Sequence, residues 1–436
     1  MANSTATMNS LNAAFKIQYA DKMSDLIPDM APLMSKLPFV ANKQRHGAAY
    51  VQPVVLSMDH GFTCHGPADN VLILNAPVLH NIQQAQITAS AYSGRSWLST
   101  TALSRAAEGG QAFIDGTGHI VESLMKSFTH MYEAQHWYGG VGLATVAAAT
   151  APLAVNKVEI AATEAAAFLF LGGEGMPVEI FDSTGTTLVL STEVTAVQIG
   201  QDYQAAASDK ITLTLASVSG LSNGTTYVIY RKGYNGLEHK GMKYILTNDN
   251  VFGINGANFG MWRANRYAAA SASLSFSLLS AAIARAIGRG LSGPLAGYCN
   301  PKAFRQLFPD YFSIGDVASS ASTDTRQSNP KARKFGAEDS KSLVHGTKDV
   351  KIFVDSIEAT IQSTEFVKGG DCFMLDQESF MRVGSTAPTF NIPGMDQGTY
   401  FTQRPDAAAA ELRIYGDEAV FTSELNKSLI ITGLGI

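Results

Sequence analysis

The sequence predicts an α+β protein that carries a separate all-β module, and three features of the chain lead there. A strongly amphipathic stretch from about Gln111 to Trp137 repeats its apolar side chains at helical spacing. Residues 141–234 then switch to short Thr-, Val- and Ile-rich runs that alternate with polar residues. The rest mixes short strands with short helices and shows no fixed-period repeat and no heptad run. At 436 residues the chain is too long for one compact core, and about two to three folding units are expected.

In chain order, residues 8–38 read as an arm with one amphipathic helix: Tyr19, Met23, Leu26, Ile27 and Met30 recur at helical spacing until Pro28 and Pro32 interrupt it. From Ala48 to about Tyr92, extended runs (Tyr50 to Met58, Val71 to Leu74, Gln84 to Ala89) are separated by Gly61, Gly66-Pro67 and Asn75-Ala-Pro77. That pattern implies a long hairpin with little of its own core to cover it, which aggregates unless a neighbour does so. Next comes the predicted helix, with Ile120, Leu124, Phe128 and Met131 on its stripe, Val121, Met125 and Tyr132 widening it, and Gly139-Gly140 ending it. At ~1.5 Å per residue it is on the order of 40 Å long.

The all-β stretch has expected strands near Val155–Ile160, Phe168–Leu171, Val178–Phe181, Leu188–Leu190, Ile211–Leu215 and Tyr227–Tyr230, enough for a small sandwich or barrel. Gly236 to Arg266 is rich in Gly, Asn and aromatics, with short apolar pieces at Tyr244–Leu246 and Val251–Ile254 between turns. Phe276, Leu279, Ile283 and Ile287 mark a helix ending at Gly288, and Asn300-Pro301 opens a short one through Leu307, Asn as cap and Pro in the first turn. Residues 313–347 read as a long loop, followed by strands at Val350–Val354, Cys372–Leu375, Phe380–Val383, Leu412–Tyr415, Ala419–Thr422 and Leu429–Thr432.

Only 16% of the residues are charged, against roughly 25% in an average soluble protein, while 46% are hydrophobic. So sparse a charge suggests that copies of the chain cover much of its surface. A net charge of −5 gives no basic footprint for a dedicated nucleic-acid reader. Cys64, Cys299 and Cys372 are distant and odd in number, so no disulfide framework is expected. The start of the chain has no basic leader or apolar core, and no run approaches ~18 apolar residues, so synthesis in the cytoplasm as a soluble protein with no membrane partner is expected. The sequons at Asn3, Asn223 and Asn426 are read as chance matches.

Catalytic chemistry has few places to sit. His60, Cys64 and His65, with His80, could ligate zinc, but their spacing fits no standard knuckle and the segment reads as an exposed β-loop. His119, His130 and His136 never fall one helical turn apart, and they read as surface or interface residues. Asp115, Glu122 and Glu133 read as solvated or salt-bridged. Cys299 reads as buried and unreactive, Lys331, Arg333 and Lys334 as a solvated loop, and Trp262, beside Arg263 and Arg266, as a packing anchor rather than a base-stacking platform. No G-x-x-x-x-G-K-(S/T) phosphate loop occurs. No catalytic, cofactor or metal residue is therefore assigned.

GLEHKGMKYILTNDNVFGINGANFGMWRANR, with LNAAFKIQYADKMSDLIPDMAPLMSKLPF and AAYVQPVVLS before it and LRIYGDEAVFTSELNKSLIITGLGI after it, resembles the major capsid proteins of tailed double-stranded DNA bacteriophages. The resemblance implies an HK97-like capsid fold: N-arm (residues 1–45), E-loop (46–95), spine helix of the peripheral domain (96–140), an inserted all-β domain, Ig-like or a small barrel (141–234), axial domain (235–345), and peripheral and C-terminal strands (346–436). It also implies a structural subunit, not an enzyme. Such a subunit forms hexamers and pentamers of an icosahedral or prolate head and works with a separate scaffolding protein, a portal and a decoration protein. It touches packaged double-stranded DNA without sequence preference. Gly47, Gly61, Gly66 and Gly94 are where arm and hairpin are expected to hinge. An encapsulin-type shell protein is an alternative. The residues themselves leave a second class open, a metal-dependent enzyme or carbohydrate-binding protein using the β module.

Overall fold

The computed structural model describes residues 32–41, 49–67, 74–99, 110–146, 156–200, 210–222, 225–307, 349–392, 401–403 and 408–436, with the backbone alone for residues 99 and 110–119. The expected arm helix before Pro32, most of the run that starts at Val71, the 313–347 loop and the Lys331 cluster lie outside them.

The long helix α2 spans Gly110–Tyr138, one residue beyond the expected limits at each end, and follows the short helix α1 (Pro32–Lys36). It packs on a sheet whose central strand, β20 (Ala409–Thr422), pairs with β4 (Ser90–Ser99), β18 (Phe380–Thr389) and β19 (Phe401–Gln403). β1 (Phe39–Ala41) adds a parallel edge on β18. Val121, Met125, Phe128 and Tyr132 of α2 form one buried cluster with Tyr92, Leu412 and Ile414 of the sheet, the face that the helical spacing marks out. Two expected strands, Leu412–Tyr415 and Ala419–Thr422, are in fact one, because Gly416 does not break it. That glycine is there for close approach: a Cβ would lie 2.4 Å from Tyr132 Oη. Gly94 likewise sits inside β4 and not at a hinge, since a Cβ would lie 2.9 Å from Ile414 Cγ2 and 3.3 Å from Phe128 Cδ2.

The hairpin is formed by β2 (Ala49–Val55) and β3 (Ile82–Thr88), antiparallel in register from Ala49–Thr88 to Val55–Ile82, and continues outward to a bridge between His60 and Val78. β4 follows directly, so the chain passes from hairpin to sheet within two residues and runs straight across position 95.

Between Ala144 and Arg231 six strands close into a barrel: β5 (Ala144–Val146), β6 (Lys157–Ile160), β7 (Pro177–Asp182), β8 (Leu188–Ile199), β9 (Ile211–Leu215) and β10 (Tyr227–Arg231), in the cyclic order β10-β5-β6-β9-β8-β7. The module is thus a barrel and not an Ig-like sandwich. The strand expected at Phe168–Leu171 is a helix instead, α3 (Ala167–Phe170). A four-residue apolar run has no alternation to distinguish the two states, and here the helical turn lets Leu169 and Phe170 both bury. The barrel is not loosely tethered. Its interior shares one buried cluster with Trp137, Trp262 and Phe373 of the body, and Gly369 N–H and Gly370 N–H donate to Ala165 O and Thr163 O.

The remaining chain builds a mixed six-stranded sheet in the order β13 (Asn265–Ala268), β21 (Leu429–Thr432), β17 (Asp371–Leu375), β14 (Leu295–Cys299), β16 (Ile357–Ser363), β15 (Asp349–Val354). It is covered by α5 (Phe276–Ile287), capped by Ser275 Oγ accepting from Leu278 N–H, and by α6 (Pro301–Arg305), capped by Asn300. Tyr244–Leu246, one of the short apolar pieces, belongs to α4 (Met242–Thr247). Val251 and Ile254 do pair, as β11 (Asn250–Val251) and β12 (Ile254–Asn255), around a turn with Phe252 and Gly253 both at positive φ, 56° and 79°.

Candidate functional site

Two arrangements stand out beyond ordinary packing: an uncovered apolar hairpin and a buried polar network along α2. The hairpin's inner face is anchored. Tyr50 meets Phe421 edge-on at 5.3 Å, Phe252 tilts against Phe421 at 4.9 Å, and Gln86 N–H donates to Phe252 O. Its outer face and far end stay exposed among the described residues: Phe62 is 83% exposed, Leu79 78%, Met58 76%, Leu74 70% and Val55 62%. So many large apolar side chains on one projecting element mark a surface that a partner covers.

His60, Cys64, His65 and His80 lie on this same projection, and no cluster of His, Cys, Asp and Glu fit to hold a metal occurs among the described residues. His80 is occupied locally, its Nδ1 3.0 Å from Asp59 Oδ1, while the His80 N–H donates to that same oxygen. Cys64 is exposed and free.

The polar network corrects two expectations. Glu133 is not solvated. It is fully buried, accepting Leu33 N–H and Trp137 Nε1–H on Oε1 and Met34 N–H on Oε2, at 2.8–2.9 Å. Burial pushes its carboxyl up from the usual range, and the nearby His136 and the N–H donors pull it back. His136 is not a surface residue either: it is fully buried, with Nδ1 3.0 Å from His239 Nε2 and Nε2 3.1 Å from Glu418 Oε1. His130 packs between Phe366 and Phe168, and burial drives its imidazole down to about 4. The arm-root partners of Glu133 and the His239 partner of His136 lie on the order of 100 residues away in sequence, and no local pattern announces them.

A second charged cluster ties the barrel to the body. Lys368 Nζ meets Glu164 at 2.9 Å, Lys243 pairs with the buried Asp371, and Tyr138 Oη donates to Asp371 Oδ2 at 3.3 Å. Here the charges pair with one another, which is what buried ions need to be stable. Trp262 is 2% exposed and donates Nε1–H to Val251 O, a packing anchor, while Arg263 and Arg266 both pair with Asp249. Cys299 is buried, directly opposite Cys372 across β14 and β17. No nucleophile, base and oxyanion donor come together among these groups. No described helix is long and apolar enough to cross a membrane.

The two sheets, the long helix lying across one of them and the projecting hairpin at its start define the HK97-like capsid fold. Among solved structures, a subunit of the cyanophage A-1(L) capsid is similar over 93% of this chain and 93% of its own, with a TM-score of 0.50 at 10% identity. A likeness at that identity speaks for the fold alone. Weaker ones are the capsid of a native GTA particle (TM-score 0.43, 10% identity, 93% of this chain and 90% of that one) and the holo-SrpI encapsulin complex of Synechococcus elongatus (0.40, 6%, 93% and 87%). No family model and no curated protein matches the chain.

Proposed function

We propose that this chain is the major capsid subunit of a tailed-phage head, a structural protein without catalysis that self-assembles into the hexamers and pentamers of a closed shell around double-stranded DNA. The carrying observation is the hairpin. A projection with Phe62, Leu79 and Met58 each more than three-quarters exposed is stable in water only when another molecule lies over it, and the fold supplies identical neighbours for that purpose.

In this reading the arm precedes the E-loop hairpin of β2 and β3, 141–234 is an inserted barrel, the axial domain joins β13 and β14 with β15, β16, β17 and β21 in one sheet, and the peripheral domain is the spine helix α2 with β4, β18, β19 and β20. A scaffolding protein, a portal and a decoration protein are its further partners, and the finished subunit resides in the virion after synthesis in the bacterial cytoplasm. The test is electron microscopy and sedimentation of the full-length chain, alone and with a co-expressed scaffold. Hollow particles are expected. A monodisperse monomer under every condition would overturn the proposal.

A further inference from the structure

Two cysteines that lie far apart in sequence meet in the core of the six-stranded sheet, and the proposed shell contacts do not use them. Cys299 ends β14, and Cys372 stands directly opposite it on the antiparallel strand β17. Both are fully buried free thiols in the apolar cluster that this sheet shares with α5 and α6. The backbone decides how closely they approach. Thr364 N–H donates to Cys299 O at 2.9 Å, so the polar groups of Cys299 point toward β16, with which β14 runs parallel, and away from β17. Against β17, Cys299 and Cys372 therefore form a non-hydrogen-bonded pair, the kind whose facing side chains come closest, with Cα atoms ~4.5 Å apart. That separation falls within the ~4.4–6.8 Å that a disulfide spans. Cys299 Sγ–H now rests on Gln362 O at 3.8 Å, a weak contact that is easily given up.

The pair sits on the seam of the sheet. β13, β21 and β17 make one half and β14, β16 and β15 the other, and the pairing of β14 with β17 joins them. A bond from Cys299 to Cys372 ties the halves covalently and closes the chain from β14 through α6, β15 and β16 to β17 into a loop. Closing a long loop removes conformations from the unfolded chain, which favours the folded one. Contact with the Cys372 side chain and then burial push the Cys299 thiol up, so it stays protonated while the fold is closed. Reaction waits for the sheet to open locally.

We propose that Cys299 and Cys372 are a redox-controlled staple: two thiols in a reducing compartment, one cross-strand disulfide after contact with a peroxide. One sulfur, as its thiolate, attacks a peroxide oxygen; the O–O bond breaks, the sulfur becomes a sulfenic acid, and the departing hydroxide takes up the thiol proton as water. The second sulfur then displaces the sulfenic hydroxyl, which leaves as a second water while the S–S bond forms. Two thiols are oxidised by two electrons and one hydrogen peroxide is reduced to two waters. A thiol reductant reverses the outcome. A cell interior keeps the pair open and an oxidising exterior closes it. The staple lies within one chain, so it does not depend on shell formation.

The test uses the full-length chain with Cys64→Ser, which removes the exposed third thiol on the hairpin. The reduced, folded protein is treated with hydrogen peroxide in urea below its unfolding transition, where local opening is frequent, then alkylated in denaturant and mapped by mass spectrometry without reduction. The expected result is a link between the peptides that carry Cys299 and Cys372 and a loss of two hydrogen atoms per chain. The urea midpoint rises on oxidation and returns with dithiothreitol. Cys299→Ser abolishes both the link and the shift. If that variant does not fold, the map and the midpoint of the Cys64→Ser chain decide alone. Cysteines that remain open to alkylation, oxygen gained without a link, a link only between chains, or a midpoint that falls on oxidation would each overturn the staple.

Discussion

Glu133 accepts three N–H groups, those of Leu33 and Met34 from a distant part of the chain and that of Trp137 from its own helix, so removing its carboxylate strands all three in an apolar interior. An unmet buried donor costs ~1–3 kcal/mol. Glu133→Leu is therefore expected to destabilise the fold by about 3 kcal/mol in urea denaturation, and Glu133→Gln, which keeps one acceptor oxygen, by less. His130 has a different role, expressed through pH. Its imidazole falls from 6.5 to about 4 because burial disfavours the charged form, with the Arg231 guanidinium second. A histidine depressed in the folded state adds no penalty above about 6.5. As pH falls from there toward about 4, the unfolded chain takes up a proton the folded chain refuses, and stability drops by up to ~3 kcal/mol. His130→Gln is expected to flatten that part of the stability–pH curve, read as the urea midpoint at successive pH values. An unchanged slope would assign the acid sensitivity elsewhere.

The elements were legible where one face is wet and one is dry, and obscure where both are dry. The long helix shows its apolar stripe over many turns, and its ends fall within one residue of the expected limits. The short helix after Asn300 carries its start signal in a plain polar residue. By contrast, α3 is a run of Ala, Phe and Leu with no period to read, whereas β17, buried at every position, is marked as a strand only by the shortness of its apolar run. The buried network is invisible for another reason: Glu133 and His136 look like ordinary helix-surface residues until α1 closes over the first and His239 and Glu418 over the second. How the barrel is attached is equally hidden, because it depends on Gly369 and Gly370, which have no side chain to add to a pattern. A Cβ on Gly369 would lie 2.1 Å from Ile436 Cδ1 and 2.6 Å from Ala162 O, and Ala162 belongs to the barrel side of the joint. Gly369→Val is thus expected to loosen the barrel from the body and expose the joint to limited proteolysis, while the barrel strands themselves stay protected.

At the scale of the whole molecule, a low charge content and an apolar projection make two demands on any assembly that the chain forms. With 16% charged residues, few ion pairs are available between copies, and exposed pairs contribute little in any case. Contacts made by Phe62, Leu79, Met58 and Leu74 gain their free energy from removing apolar surface from water, which depends weakly on salt and strongly on temperature. Particles are accordingly expected to keep their sedimentation profile between about 0.05 and about 0.5 M salt, a range over which screening of surface charges grows from partial to nearly complete. The same particles are expected to weaken on cooling, because the hydrophobic driving force fades at low temperature. Replacing two tip residues together, Phe62→Asp and Leu79→Asp, tests the cause directly. The tip lies outside all three buried clusters, so the subunit's own denaturation midpoint should stay where it is while assembly is lost. Particles that dissolve with added salt at constant temperature, or that form normally with both aspartates in place, would mean that charge and not the hairpin holds neighbouring copies together.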